Sequence, residues 1–173
     1  MKLKLYQVDA FAEKLFMGNP AGECPLDKWL SDEVMQKIAM ENNLSETGFF
    51  VKEGDAYHIR WFTPAVEVDL CGHATLAAAH VIFEYRKHDS KVIHFTSRSG
   101  DLFVRKENDL LVLDFPADKI ERTEIPATLI KALGIAPKEA YKGGSDYLLV
   151  YESQEQVEKI NPNFKILAQT GSR

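Results

Sequence analysis

At 173 residues, with 45% hydrophobic and 27% charged side chains, the chain has the make-up of one ordinary domain or two small ones, with enough apolar residues for a core. Its formal charge of -5 argues against a generic nucleic-acid surface and points to small-molecule or protein partners. The opening MKLKLYQVDAFAEKLF is broken by Lys2, Lys4, Asp9, Glu13 and Lys14, so it offers neither a signal peptide's apolar core nor a membrane span, and a cytoplasmic protein is expected.

Residues 3–10 alternate as a strand does, with Leu3, Leu5 and Val8 among polar neighbours, and MGNPAG then breaks the chain at Gly18, Asn19 and Pro20, which predicts a loop. LSDEVMQKIAMENN predicts an amphipathic helix. Ser31 stands at its N-cap, Asp32 and Glu33 in the first turn, Val34, Met35 and Ile38 on one face, and the end falls near Asn42-Asn43. TGFFVKE, AYHIRWFT and KVIHFTS read as strands of a mixed sheet, the first two joined by a turn at Gly54-Asp55. Between them GHATLAAAHVIFEYR reads as the central helix, its small residues Ala74, Ala77, Ala78 and Ala79 allowing close approach to the sheet.

SGDLFVRKENDLLVLDFP predicts a hairpin turning at Glu107 to Asp109. PADKIERTEIPA is charged, bounded by prolines and without periodicity, so residues 1–115 are expected to form a first domain, 116–125 a linker and 126–173 an incomplete second domain. In that last part PATLIKALG reads as a short helix closed by Gly134, DYLLVYES as a strand and NPNFKILAQ as the opening of another helix.

Two short stretches carry side chains suited to chemistry. The turn Cys71-Gly72-His73-Ala74 opens a helix, where free backbone amides and the helix dipole suit a carboxylate and Gly72 permits close approach; Asp69 offers the rival arrangement, capping those amides itself. Cys71 in that turn is expected to feel the dipole and His73, both of which lower a thiol's pKa, although a buried, inert cysteine is the commoner case. In NNLSETGFF, Glu46 stands at the head of an apolar strand, where desolvation would suit a carboxylate to general acid/base work; the plainer alternative is a solvated strand-end acid. Cys24 and Cys71 form no disulfide framework, the five histidines show no zinc spacing, and structural or exposed roles are expected for His58, His80, His88 and His94, with no metal.

The ordered motifs DAF, GNPAGEC, ENNLSETGFF and IRWFTPAVEVDLCGHATLAAAHVIF resemble the PhzF-like family, named for the phenazine-biosynthesis isomerase, across essentially the first 115 residues; ALGI and YLLVY carry the similarity further. The resemblance implies an α+β, diaminopimelate epimerase-like fold, in which a mixed sheet wraps around a central helix and a second, similar domain forms the other wall of the site cleft. It assigns Glu46 a cofactor-free proton shuttle during isomerisation and assigns Gly72 and His73 to binding of a small acidic substrate. Cys71 stands where the phenazine enzyme carries alanine and resembles in position one catalytic cysteine of diaminopimelate epimerase. A Cys71-dependent racemase or epimerase and a non-catalytic binding module are therefore the alternative functions. Family members run to about twice one such domain. The chain thus reads as a first domain plus the start of a second: a truncated product, half of a split protein that needs a second-half partner, or a half that pairs with itself as a homodimer.

Overall fold

The computed structural model describes residues 2–14, 16–144 and 146–170. They divide into two compact units, Met1–Pro116 and Ala117–Arg173. The first begins with strands β1 (Tyr6–Ala10) and β2 (Asn19–Leu26), followed by helix α1 (Asp32–Asn42), β3 (Glu46–Glu53), β4 (Ala56–Phe62) and the two-residue β5 (Glu67–Val68). Helix α2 (Gly72–Tyr85) comes next, and β6 (Val92–Ser97), β7 (Gly100–Glu107) and β8 (Leu110–Asp114) complete the unit. The sheet order is β1-β2-β3-β4-β6-β7-β8, with β5 added to β4. The β2–β3 and β4–β6 pairs are parallel and the others antiparallel, which makes the sheet mixed.

The sheet curls around α2. Ala74, Ala77, Ala78 and Ala79 of α2 are buried against Ala21, Phe50, Tyr57, Ile59, Trp61, Phe95, Leu102 and Val104, so side chains from both ends and the middle of the sheet converge on one helix. Small residues on α2 are what lets the strands close in, because a larger side chain there would overfill a core packed at crystal-like density. On the outer face, Met35 and Ala39 of α1 pack against Cys24, Leu26, Phe49, Val51 and Phe62. Alternation along β2 and β3 sorts the side chains: Ala21 and Phe50 face α2, Cys24 and Phe49 face α1.

Of the segment expected as a loop from Gly18 to Pro20, Gly18 is a bend (φ 90°), whereas Asn19 and Pro20 open β2, an eight-residue strand holding two prolines. Each proline stands where the strand has one neighbour. Pro20 pairs with Asp9 of β1 before the β3 ladder begins at Ala21, and Pro25 pairs with Phe50 of β3 after the β1 ladder has ended at Glu23. A missing N–H is tolerated at such positions, which is why the proline signal misleads. Helix α1 has Ser31 at its N-cap position, without a side-chain capping bond, and ends at Asn43 in the left-handed region (φ 51°).

The second unit holds β9 (Glu121–Thr123), α3 (Ala127–Leu133), β10 (Glu139–Lys142), β11 (Tyr147–Val150) and two short helices, α4 (Gln154–Glu158) and α5 (Phe164–Leu167). Its three strands pair antiparallel in the order β11-β10-β9 over a small core of Leu129, Ala132 and Ala140. Gly134 closes α3 with φ 75°, the expected stop. The stretch 116–125, expected as a linker, contains β9, whose three side chains are exposed or half-buried; a strand held by backbone pairing alone leaves no alternation to read.

Candidate active site

Two chain segments meet at the start of α2. Glu46 is the first residue of β3, delivered by the left-handed turn at Asn43 and paired through its backbone with Ala21. It lies on the face of β3 that looks toward α2, in step with Gly48 and Phe50. Cys71 is the N-cap of α2, in extended conformation, and His73 stands in the first turn. Thr75 anchors the turn by donating through its amide (3.2 Å) and its hydroxyl (2.6 Å) to the carbonyl of Cys71.

The imidazole of His73 lies between the other two side chains. Its Nδ1 is 3.4 Å from Cys71 Sγ and its Nε2 is 3.2 Å from Glu46 Oε2. Nε2 and Oε2 are both buried and face each other at ion-pair distance, yet neither has a hydrogen-bond partner among the described residues. The donor atoms of all three residues lie within 4.8 Å of one another. A cation bound there would have to take the ring from one of its two partners, because one nitrogen faces the thiol and the other the carboxylate. The arrangement is a thiol–imidazole–carboxylate relay.

Cys71 corrects the expectation of an acidified thiol. Burial pushes its pKa up to about 12; the Ala74 amide works in the opposite direction, and nearby Glu46 and Glu23 push it further up. The helix start does not prevail, because Cys71 is buried, 7% exposed as a residue, and desolvation of the thiolate outweighs the amide. Cys71 Sγ and Nδ1 are within hydrogen-bonding distance, and in the ring tautomer with its proton on Nε2 the thiol is the donor to Nδ1.

The turn itself is clamped from two sides. Arg60 of β4 donates Nε and one Nη to the two carboxylate oxygens of Glu67, both at 2.7 Å, and Arg98 reaches the same carboxylate at 2.7 Å. Ser99 donates to the Asp69 carbonyl at 2.9 Å, and the Asp69 side chain faces Arg98 at 3.6 Å. Asp69 therefore does not cap α2, and no side chain does. Gly72 is not demanded by the chain's own packing: a Cβ there would meet just the Phe115 ring, at 4.0 Å.

The remaining candidates lie elsewhere. Cys24 faces α1, His58 stands against Trp29 and Glu53, His88 bonds the Val92 carbonyl, and His94 pairs with Asp101 at 2.8 Å while stacking on Phe103. His80 lines a separate cavity of about 410 Å³ with Phe11, Leu76 and Leu110, which does not include the relay. One residue near the relay escaped the sequence reading: Glu23, fully buried on β2. It directly follows MGNPAG, whose sequence reads as a loop, and an acid beside a loop is ordinary; only its inward place on a strand singles it out.

The family model described as phenazine biosynthesis-like protein, PhzC-PhzF, matches residues 8–173. An uncharacterized isomerase of Pseudomonas aeruginosa is 52% identical over 164 residues, 95% of this chain and 63% of the relative, so the chain spans less than two thirds of that protein. The crystal structure of a PhzF-family phenazine biosynthesis protein from Enterococcus faecalis superposes with a TM-score of 0.87 at 51% identity, covering 96% of this chain and 64% of that one. A predicted epimerase of Pseudomonas aeruginosa shares the fold at a TM-score of 0.72 and 18% identity, over 99% of this chain and 68% of that one.

Proposed function

The chain belongs to the phenazine biosynthesis-like family, and on that premise we propose that it is an isomerase chain in which Glu46 moves a proton between two carbons of a small acidic metabolite. The observation that carries this reading is the unshared pair Glu46 Oε2 and His73 Nε2, 3.2 Å apart beside the open amides of a helix start. The Glu46 carboxylate takes a proton from a substrate carbon, the electron pair left behind spreads into the substrate's conjugated system, and the resulting carboxylic acid returns the proton at a second carbon. His73, with its proton on Nε2, orients the carboxylate before the transfer. The Gly72–Ala74 amides hold the substrate's own carboxylate, for which the unfilled space beside Gly72 leaves room. The step uses no cofactor.

A resting thiolate at Cys71 would favour the racemase alternative. A thiol pushed up to about 12 does not supply one at neutral pH.

The test is solvent-deuterium incorporation into a dihydro-hydroxyanthranilate and a panel of small unsaturated carboxylates, read by mass spectrometry. The wild-type chain incorporates deuterium at carbon, and Glu46→Gln lowers the rate by about 10²- to 10⁴-fold. Wild-type rates in that variant, or no exchange by the wild type with any compound of the panel, overturn the reading.

A further inference from the structure

Glu23 occupies the middle of β2 and is 0% exposed, with no hydrogen-bond partner for either carboxyl oxygen among the described residues. Its backbone partners are Tyr6 on β1 and Gly48 on β3, and Gly48 in turn pairs with Trp61 on β4. Glu23 is two positions from Ala21, so it points to the α2 side of the sheet, the side that Glu46 also faces. Gly48 supplies the room: a Cβ at that position would stand 2.5 Å from Glu23 Oε2. Across Gly48, the indole Nε1 of Trp61 is likewise buried and unpartnered. A fold seldom tolerates such a group away from a functional site.

On the α2 side of the neighbouring strands the ionisable side chains are Tyr6 on β1, Glu46 and Lys52 on β3 and Tyr57 on β4; Cys71 precedes α2, which carries His73, His80, Glu84 and Tyr85, and Cys24 adjoins Glu23 on the other face of β2. None of the ion pairs among the described residues involves it. An isolated carboxylate without water or a partner is so costly that the group takes up a proton instead. Burial accordingly pushes its pKa well above the usual carboxylate range, and both Cys24 and Cys71 are pushed up by its charge when it does ionise.

We propose that Glu23 is a positioning residue of the active site, a neutral carboxylic acid behind the relay that leaves Glu46 the one carboxylate charge beside Cys71 and His73. The proposal rests on the reading of Glu46 as the proton-transfer group. Taking a proton from the carbon of an anionic substrate builds up negative charge; a second buried carboxylate behind the relay would oppose that build-up, and a neutral acid does not.

The experiment compares the full chain with its Glu23→Gln variant, which keeps shape and neutrality and removes titration. A group whose folded pKa is raised contributes stability that is fully present below its unfolded pKa and is lost as pH rises through the folded one. The unfolding constant of the wild type is therefore expected to grow about tenfold per pH unit relative to the variant, from roughly pH 4.3 upward to the folded pKa. The second readout is alkylation of Cys71 by iodoacetamide across the pH at which the stability difference stops growing, resolved from Cys24 by peptide mass spectrometry. As Glu23 ionises, Cys71 of the variant reacts progressively faster than that of the wild type. A merely structural role gives a ratio that does not change with pH. Should the variant fail to fold, infrared spectra of wild-type protein with ¹³C-labelled glutamate must show the carbonyl band of a protonated carboxyl at neutral pH. Parallel stability curves or absence of that band overturns the neutral acid, and an alkylation ratio that stays constant across the pH at which the stability difference stops growing overturns its place behind the relay. No readout here uses turnover, so exchange retained by Glu46→Gln overturns the proton-transfer reading separately, and with it the positioning role.

Discussion

Position 48 is held by glycine because of its neighbour rather than its own backbone. Its φ is ordinary, yet the Glu23 carboxyl fills the place a Cβ would take. Gly48→Ala is expected to cost about 1–3 kcal/mol through overpacking, since a fully buried carboxyl has little space to swing into. Denaturant unfolding of the single variants and of Gly48→Ala with Glu23→Ala checks this: removing the acid should relieve the clash, so the pair costs less than the sum, and strict additivity would sink the idea. The same scale shows what residue identity alone conveys. Glu46, Gly72 and His73 are singled out as candidates by their motifs, whereas Glu23 is an acid in GNPAGEC until β2 is known to be a strand with that position facing inward. The protonation of Cys71 was illegible for a related reason: a helix start argues for a lowered thiol pKa, and burial, which a sequence does not display, argues the other way and wins.

Among the elements, the two residues of β5 have an influence out of proportion to their length. They bring Glu67 beside Arg60 and Arg98, and this pinning sets where the chain enters α2 and hence where Cys71 and His73 point. Glu67 is 13% exposed at its side chain, and Glu67→Gln takes from Arg60 and Arg98 the carboxylate they share, leaving Arg60 with Asp32 and Arg98 with Asp69; the expected cost is about 1.5–3 kcal/mol, the usual range for a hydrogen bond to a charged group. Thermal unfolding gives the number, and a shift within error of wild type would show that the clamp is not needed. Long elements such as α1, β3, β4 and α2 declare themselves by periodicity. β5 does not, and neither do β9 and β10, because two to four residues are too few for a pattern and their pairing comes from backbone bonds.

At the scale of the whole chain, the first unit has one core around α2 and a second against α1, while the second unit buries Leu129, Ala132 and Ala140. Opening free energy follows buried apolar packing, so amide hydrogen exchange of the intact chain is expected to be slowest in β3, β4, β6 and α2 and clearly faster throughout β9 to β11. Equal protection in both sets would mean that the small core is stronger than its composition suggests. No helix of the described residues is long and apolar enough to cross a membrane. By itself the sequence determined the family, through ordered motifs, and the helix and strand character of the longer elements, because amphipathic period and cap residues are local properties. The tertiary structure alone decided that β2 is a strand, that an imidazole joins Cys71 to Glu46, that Arg60 and Arg98 share Glu67, and that a carboxyl lies buried over Gly48. Those features depend on which residues of distant segments share one face of a curled sheet, and that is fixed by strand register and by burial, neither of which any local stretch of chain contains.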